Sequence, residues 1–146
     1  MKCLRTLTAA CLLGVSSDTA AGGDRPSVEI FTHTAMPIAT EFLMQNAIPF
    51  TYYDLDAPAA LEAELSADLP DDPERAAAMA ILRLQRGGAA LIERVRQAWQ
   101  GVAQAKRYGL DRIPAVVFDR NAAVYGVTDA EEALARYQTW QAGHRP

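Results

Sequence analysis

The sequence predicts an α/β domain in which a β-α-β unit, a helical insertion and a β-β-α unit surround a central mixed sheet of about four strands. Three observations carry that expectation. Two β-rich stretches flank a short helical pattern near residue 40. The middle of the chain has helical periodicity almost throughout. A Val-rich segment entered through Ile113-Pro114 then turns back on itself before a last amphipathic helix. Strands joined through a helix run parallel and strands joined by a tight turn run antiparallel, so the sheet is expected to be mixed.

Residues 1–21 stand apart from this plan. Lys2 and Arg5 precede a mostly apolar run from Thr6 to Val15, and small residues follow up to Ala20-Ala21-Gly22. The order basic, apolar, small is that of a removable secretory signal peptide, and the run is too short to cross a bilayer as a helix. Cleavage is expected after Ala21, leaving 22–146 as one exported, periplasmic domain. The only two cysteines, Cys3 and Cys11, fall within that segment, so the mature chain is expected to hold no thiol and to depend on its core instead of disulfides. The full chain carries a net charge of −4 with no basic cluster, which argues against nucleic acid as a partner. No later apolar run reaches membrane-spanning length, so no direct membrane span is expected.

The elements follow in order. Ser27–Thr32 alternates and is rich in β-branched and aromatic residues, which predicts a first strand. After the polar loop His33-Thr34-Ala35, Pro37 suits a first helical turn and Ile38, Phe42, Leu43 and Ala47 fall at helical spacing. A helix is predicted over Met36–Asn46. Pro49 ends it, and Phe50–Leu55 is the second strand. The insertion, at about 57–110, is expected to hold a short helix at Ala59–Leu65, a break at Pro70-Asp71-Asp72-Pro73, a helix over Glu74–Gln85, and a longer one over Ala89–Tyr108 beyond Gly87-Gly88. In that longer helix Leu91, Val95, Ala98, Val102 and Ala105 form a stripe read as core-facing, with Trp99 as an anchor at its edge. Ala115–Asp119 and Ala123–Gly126 make a hairpin about Arg120-Asn121-Ala122. Asp129 caps a closing helix over Ala130–Gln141, and 144–146 is read as a frayed tail.

With these residues in place, the chain resembles the thioredoxin-like superfamily. Val28-Glu29-Ile30-Phe31-Thr32 is similar to a glutaredoxin first strand. Ala47-Ile48-Pro49-Phe50 with Asp54-Leu55-Asp56 resembles the passage into its second strand. Arg112-Ile113-Pro114-Ala115-Val116-Val117-Phe118 resembles the strand that family enters through a cis-proline. The resemblance implies a cis Ile113-Pro114 bond. Within the superfamily, Val28–Thr32, Ile113–Asp119 and Val124-Tyr125-Gly126-Val127-Thr128-Asp129 look most like a family of small exported thioredoxin-like proteins encoded on integrating conjugative elements. That implies a part in conjugative transfer through a type IV secretion apparatus.

The departure from the redox pattern is chemical. Where the superfamily has Cys-Pro-x-Cys, this chain has Met36-Pro37-Ile38-Ala39. A thioether does not ionise and a methyl group has no reactive atom, so dithiol–disulfide exchange is excluded at this position. The expectation is a degenerate CxxC on a protein that binds and does not oxidise, with no cofactor and no metal. The backbone beside Pro114 would pair with an extended segment of another exported protein in a groove of Thr34, Met36, Pro37, Ala39, Ile113 and Pro114. The alternative is a glutathione- or small-ligand-binding enzyme using the Thr32–Thr34 loop at the positive end of the first helix. His33 is read as a solvent-facing loop residue without an acid partner, and Asp54 and Asp56 as caps and turns.

Overall fold

The computed structural model describes residues 25–144, and the export segment read at 1–21 lies outside them. The elements are β1 (Val28–Thr32), α1 (Glu41–Gln45), β2 (Phe50–Asp54), α2 (Ala57–Ser66), α3 (Pro73–Arg107), β3 (Ala115–Phe118), β4 (Ala122–Tyr125) and α4 (Ala130–His144). The four strands form one sheet in the order β2-β1-β3-β4. β1 and β2 are parallel with Val28 beside Phe50, while β1–β3 and β3–β4 are antiparallel with Phe31 beside Ala115 and Ala115 beside Tyr125. This is the mixed α/β, thioredoxin-like plan expected from the sequence, with α2 and α3 as the helical insertion.

The central strands β1 and β3 are buried at every residue, since both faces of the sheet are covered. On one face Ile30, Val116 and Phe118 meet Leu43 of α1 and Ala133, Leu134 and Tyr137 of α4. The rings of Phe118 and Tyr137 stack at 4.6 Å. On the other face Phe31, Ala115 and Val117 meet Ala105 of α3, with Tyr53 stacked on Phe31 at 4.9 Å. Glu29 also points to this second face and is 8% exposed. Its carboxylate accepts from the Tyr108 hydroxyl at 2.8 Å and the Gln104 amide at 3.3 Å, the pairing a buried carboxylate requires.

Five expectations need correction. The first helix spans five residues, not Met36–Asn46, because the Ala39 amide donates to the Thr128 carbonyl and the Ala39 carbonyl accepts from Ala130. Those bonds hold Ala39 in a bridge beside Asp129, where a helical residue cannot sit. The stripe on α3 faces the core only in part: Leu91 and Ala105 are buried, but Val95 is 38% exposed. Trp99 is 56% exposed and does not cover the core. The closing helix continues through His144, whose ring stacks on Trp140 at 4.9 Å, so that residue is not frayed. The hairpin instead turns on Asp119 and Arg120, both at positive φ (50° and 56°), with the Asn121 amide donating to the Phe118 carbonyl. Two left-handed residues in succession match the right-handed twist of the flanking strands.

The break expected at Gly87-Gly88 is present as a kink. Gly88 has φ 49° and ψ −141°, and α3 is two helical segments joined there.

Candidate functional site

The loop leaving β1 is built by two carboxylates from the end of β2 and the start of α2. Asp56 accepts from the Thr34 amide at 3.0 Å and sits 2.9 Å from Nδ1 of His33. Asp54 accepts from the Thr34 hydroxyl at 2.9 Å and from the Asp56 amide at 2.9 Å. The hydrogen bond to His33, then that from the Thr34 amide, holds the Asp56 carboxyl below its ordinary value of 3.8. His33 therefore has an acid partner, contrary to the sequence reading. Asp54 does make the turn assigned to it, whereas Asp56 precedes α2 without a side-chain capping bond. The signal was present as Asp-x-Asp ending a strand, but spacing alone could not show which loop those carboxylates would reach.

Thr32 is fully buried, and its hydroxyl donates to the Met36 carbonyl, which folds the loop back on β1. The Met36 amide donates to the His33 carbonyl at 2.9 Å. These bonds leave the Met36 side chain 41% exposed and Pro37 exposed. Thr34 and Ala39 are exposed as well. Since α1 begins only at Glu41 and is a single short turn and a half, the 32–34 loop does not stand at a helix N-terminus. The anion-holding arrangement behind the small-ligand reading is not built here.

Ile113-Pro114 is cis. Pro114 is buried and its carbonyl accepts from Gly126 at 3.1 Å, while Ile113 packs half-buried against the Phe31 face of the core. Phe31 pairs with Ala115, so the residues after β1 and those before β3 emerge at the same end of the sheet. Met36, Pro37, Ile113 and Pro114 thus share one sheet end. Among the described residues no hydrogen bond joins the loop to Ile113 or Pro114, and neither backbone group of Ile113 pairs with another backbone group.

Two clefts lie away from this sheet end. One of about 480 Å³ runs between β2 and the insertion, lined by Tyr52, Tyr53, Glu64, Arg94, Gln97 and Gly101. Burial, then the charge of Glu29, raises the Tyr53 hydroxyl pKa. A second of about 420 Å³ follows β4 beneath Tyr137 and Trp140. Among the described residues no group of three or more His, Cys, Asp or Glu side chains is placed to hold a metal ion, and no helix is long and apolar enough to cross a membrane.

Fold and site together define an α/β domain of thioredoxin-like architecture with no cysteine among the described residues. The chain belongs to the family described as protein of unknown function (DUF1525), which matches residues 25–143. Searches of the curated proteins and of the solved structures found no significant match.

Proposed function

We propose that this protein is a non-redox, exported accessory or assembly protein of an integrating conjugative element, acting in the periplasm by holding another exported protein of the conjugation apparatus. The observation that carries the binding reading is the sheet end around Ile113. Its backbone amide and carbonyl are unpaired among the described residues, and the apolar Met36 and Pro37 stand exposed at the same end. An unpaired backbone beside adaptable apolar side chains favours an extended segment, whose main chain supplies hydrogen bonds and whose side chains supply contact area. Export is supported by the order of residues 1–21, and a binding role in place of a redox one by the absence of any cysteine after Cys11. The conjugative setting rests on the resemblance of Val28–Thr32, Ile113–Asp119 and Val124–Asp129.

The test is the transfer frequency of the parent element after in-frame deletion of the gene, complemented with and without Met1–Ala21. Loss of transfer rescued only by the form with the leader supports the reading, whereas normal transfer rejects an essential role. A Met36→Asp, Ile113→Asp double variant then examines the groove. If the folded variant restores transfer as well as the parent does, the groove is not the binding surface.

A further inference from the structure

The two edges of the sheet differ in what they offer a further strand. β2 follows Pro49 and ends in Asp54, a charged residue engaged by the Thr34 hydroxyl. β4 is Ala122-Ala123-Val124-Tyr125, without a charge, a proline or a bulge to discourage pairing. The direction of its free backbone groups follows from the ladder. The Gly126 amide donates to the Pro114 carbonyl, and antiparallel pairs alternate, so Val124 and Ala122 turn their amides and carbonyls toward β3. Those of Ala123 and Tyr125 point away from the sheet, and no backbone group meets them among the described residues.

We propose that β4 is the contact strand of a homodimer, pairing antiparallel with β4 of a second copy about a two-fold axis at Val124. In this register Ala123 faces Tyr125 of the partner twice over, and about four hydrogen bonds satisfy all the outward groups of both strands. The side chains fit the same register. Ala123 is small and exposed where the bulky Tyr125 of the other copy arrives, and both lie on the face away from α4. On the α4 face, Val124 meets its own equivalent below the cleft lined by Tyr137 and the 44% exposed Trp140. The axis sets the two α4 helices antiparallel. That brings Glu131 and Glu132 in the first turn of one toward His144 in the last turn of the other, a complementary placement that one copy of the same helix supplies to another. The inference is independent of export and of the conjugative reading.

The test uses full-length protein with Cys3→Ser and Cys11→Ser, so that an introduced thiol is unique. Directly opposed non-hydrogen-bonded residues lie about 4.5 Å apart at Cα, within disulfide range, and diagonal neighbours at roughly 7–8 Å are not. Val124→Cys is expected to give a covalent dimer under mild oxidation, and Ala123→Cys to give several-fold less. Sedimentation velocity is expected to show a concentration-dependent dimer in the parent, and Ala123→Lys, at an exposed position, to raise its dissociation constant roughly tenfold or more. A monomer at every concentration overturns the proposal. So does a dimer indifferent to Ala123→Lys in a variant with parental circular dichroism, or equal cross-linking at 123 and 124.

Discussion

The sheet and the outer part of the insertion obey different physics. Around β1 and β3 the large apolar side chains are enclosed on both faces: Phe31, Phe118, Ile30 and Leu43 have no solvent exposure. Along the first half of α3 they are not, with Ile81 and Leu84 each 55% exposed and Ile92, just past the kink, 72% exposed. The outer segment is held by α2 and by polar contacts such as Arg83 donating to the Leu65 carbonyl at 2.7 Å and to the Ala67 carbonyl. Apolar residues recur along both halves of α3. The difference teaches that periodicity fixes the helix, while burial depends on what the rest of the fold brings against it.

The comparison breaks most visibly on truncation of one large side chain in each region. Phe118→Ala removes a buried ring stacked on Tyr137 and is expected to cost about 3–5 kcal/mol in urea unfolding. Ile81→Ala removes a side chain already mostly in water and is expected to stay within roughly 0.5 kcal/mol. Equal costs would mean that the outer helix is enclosed in solution.

Two glycines of α3 sharpen the boundary between the regions. At Gly101, where the helix crosses β2, an added Cβ would stand 2.9 Å from Cβ of Tyr53. Backbone and strand must then separate, so Gly101→Ala is expected to cost about 1–3 kcal/mol despite the higher helix propensity of alanine. At Gly88 an added Cβ meets nothing within 4 Å, and the objection is conformational, since φ is +49°. Gly88→Ala is expected to cost about 1 kcal/mol, or to straighten α3 with a gain in helical circular dichroism. A stabilised Gly101→Ala would show that α3 does not rest on β2 at that point.

The sheet side also has its own alkaline signature. The hydrogen bond from Tyr137 to Asp119, at 2.7 Å, and then burial raise the Tyr137 pKa above its ordinary 10.0. A raised value means that the folded state keeps a proton the unfolded state loses. That contribution to stability is whole below pH 10 and fades as the pH rises through the folded value. Tyr137→Phe is expected to flatten the stability profile above pH 10, measured by chemical denaturation, while leaving the ring stack in place. An unchanged profile would assign the alkaline loss to Tyr53 and Tyr108, which are also raised.

What the sequence revealed divides along the same line. Both central strands, the mixed character of the sheet, the cis Ile113-Pro114 bond and the break at Gly88 were legible, because each follows from local composition, element order or a resemblance carried by contiguous residues. The start of α1 was not. Pro37 and the spacing of Ile38 and Phe42 favour an earlier helix, but the bonds from Ala39 to Thr128 and Ala130 come from about ninety residues away and prevail. The His33–Asp56 pair was hidden for the same reason, since it joins the ends of β1 and β2 through their parallel register. Exposure on α3 was illegible because a stripe of apolar residues does not state what lies opposite it.

Asp56 stands where the two regions join, as the residue before α2 and the anchor of the loop leaving β1, and the smallest expected effect lies there. Its carboxyl is held below 3.8 by His33 first and the Thr34 amide second. A depressed value means that the contacts contribute fully above the unfolded value and are lost as the pH falls through the folded one. On an exposed loop the change is local, so melting temperature is a poor readout. The Thr34 amide resonance is the better one. Acid titration is expected to move it at a pH below 3.8, with Asp56→Asn abolishing that step and leaving Leu55 bonded to the Thr32 carbonyl. A Thr34 amide that ignores the titration would mean that Asp56 does not bind the loop in solution, and the loop carrying Met36 would then be tied to the sheet by the Thr32 hydroxyl and by the bond from the Thr34 hydroxyl to Asp54.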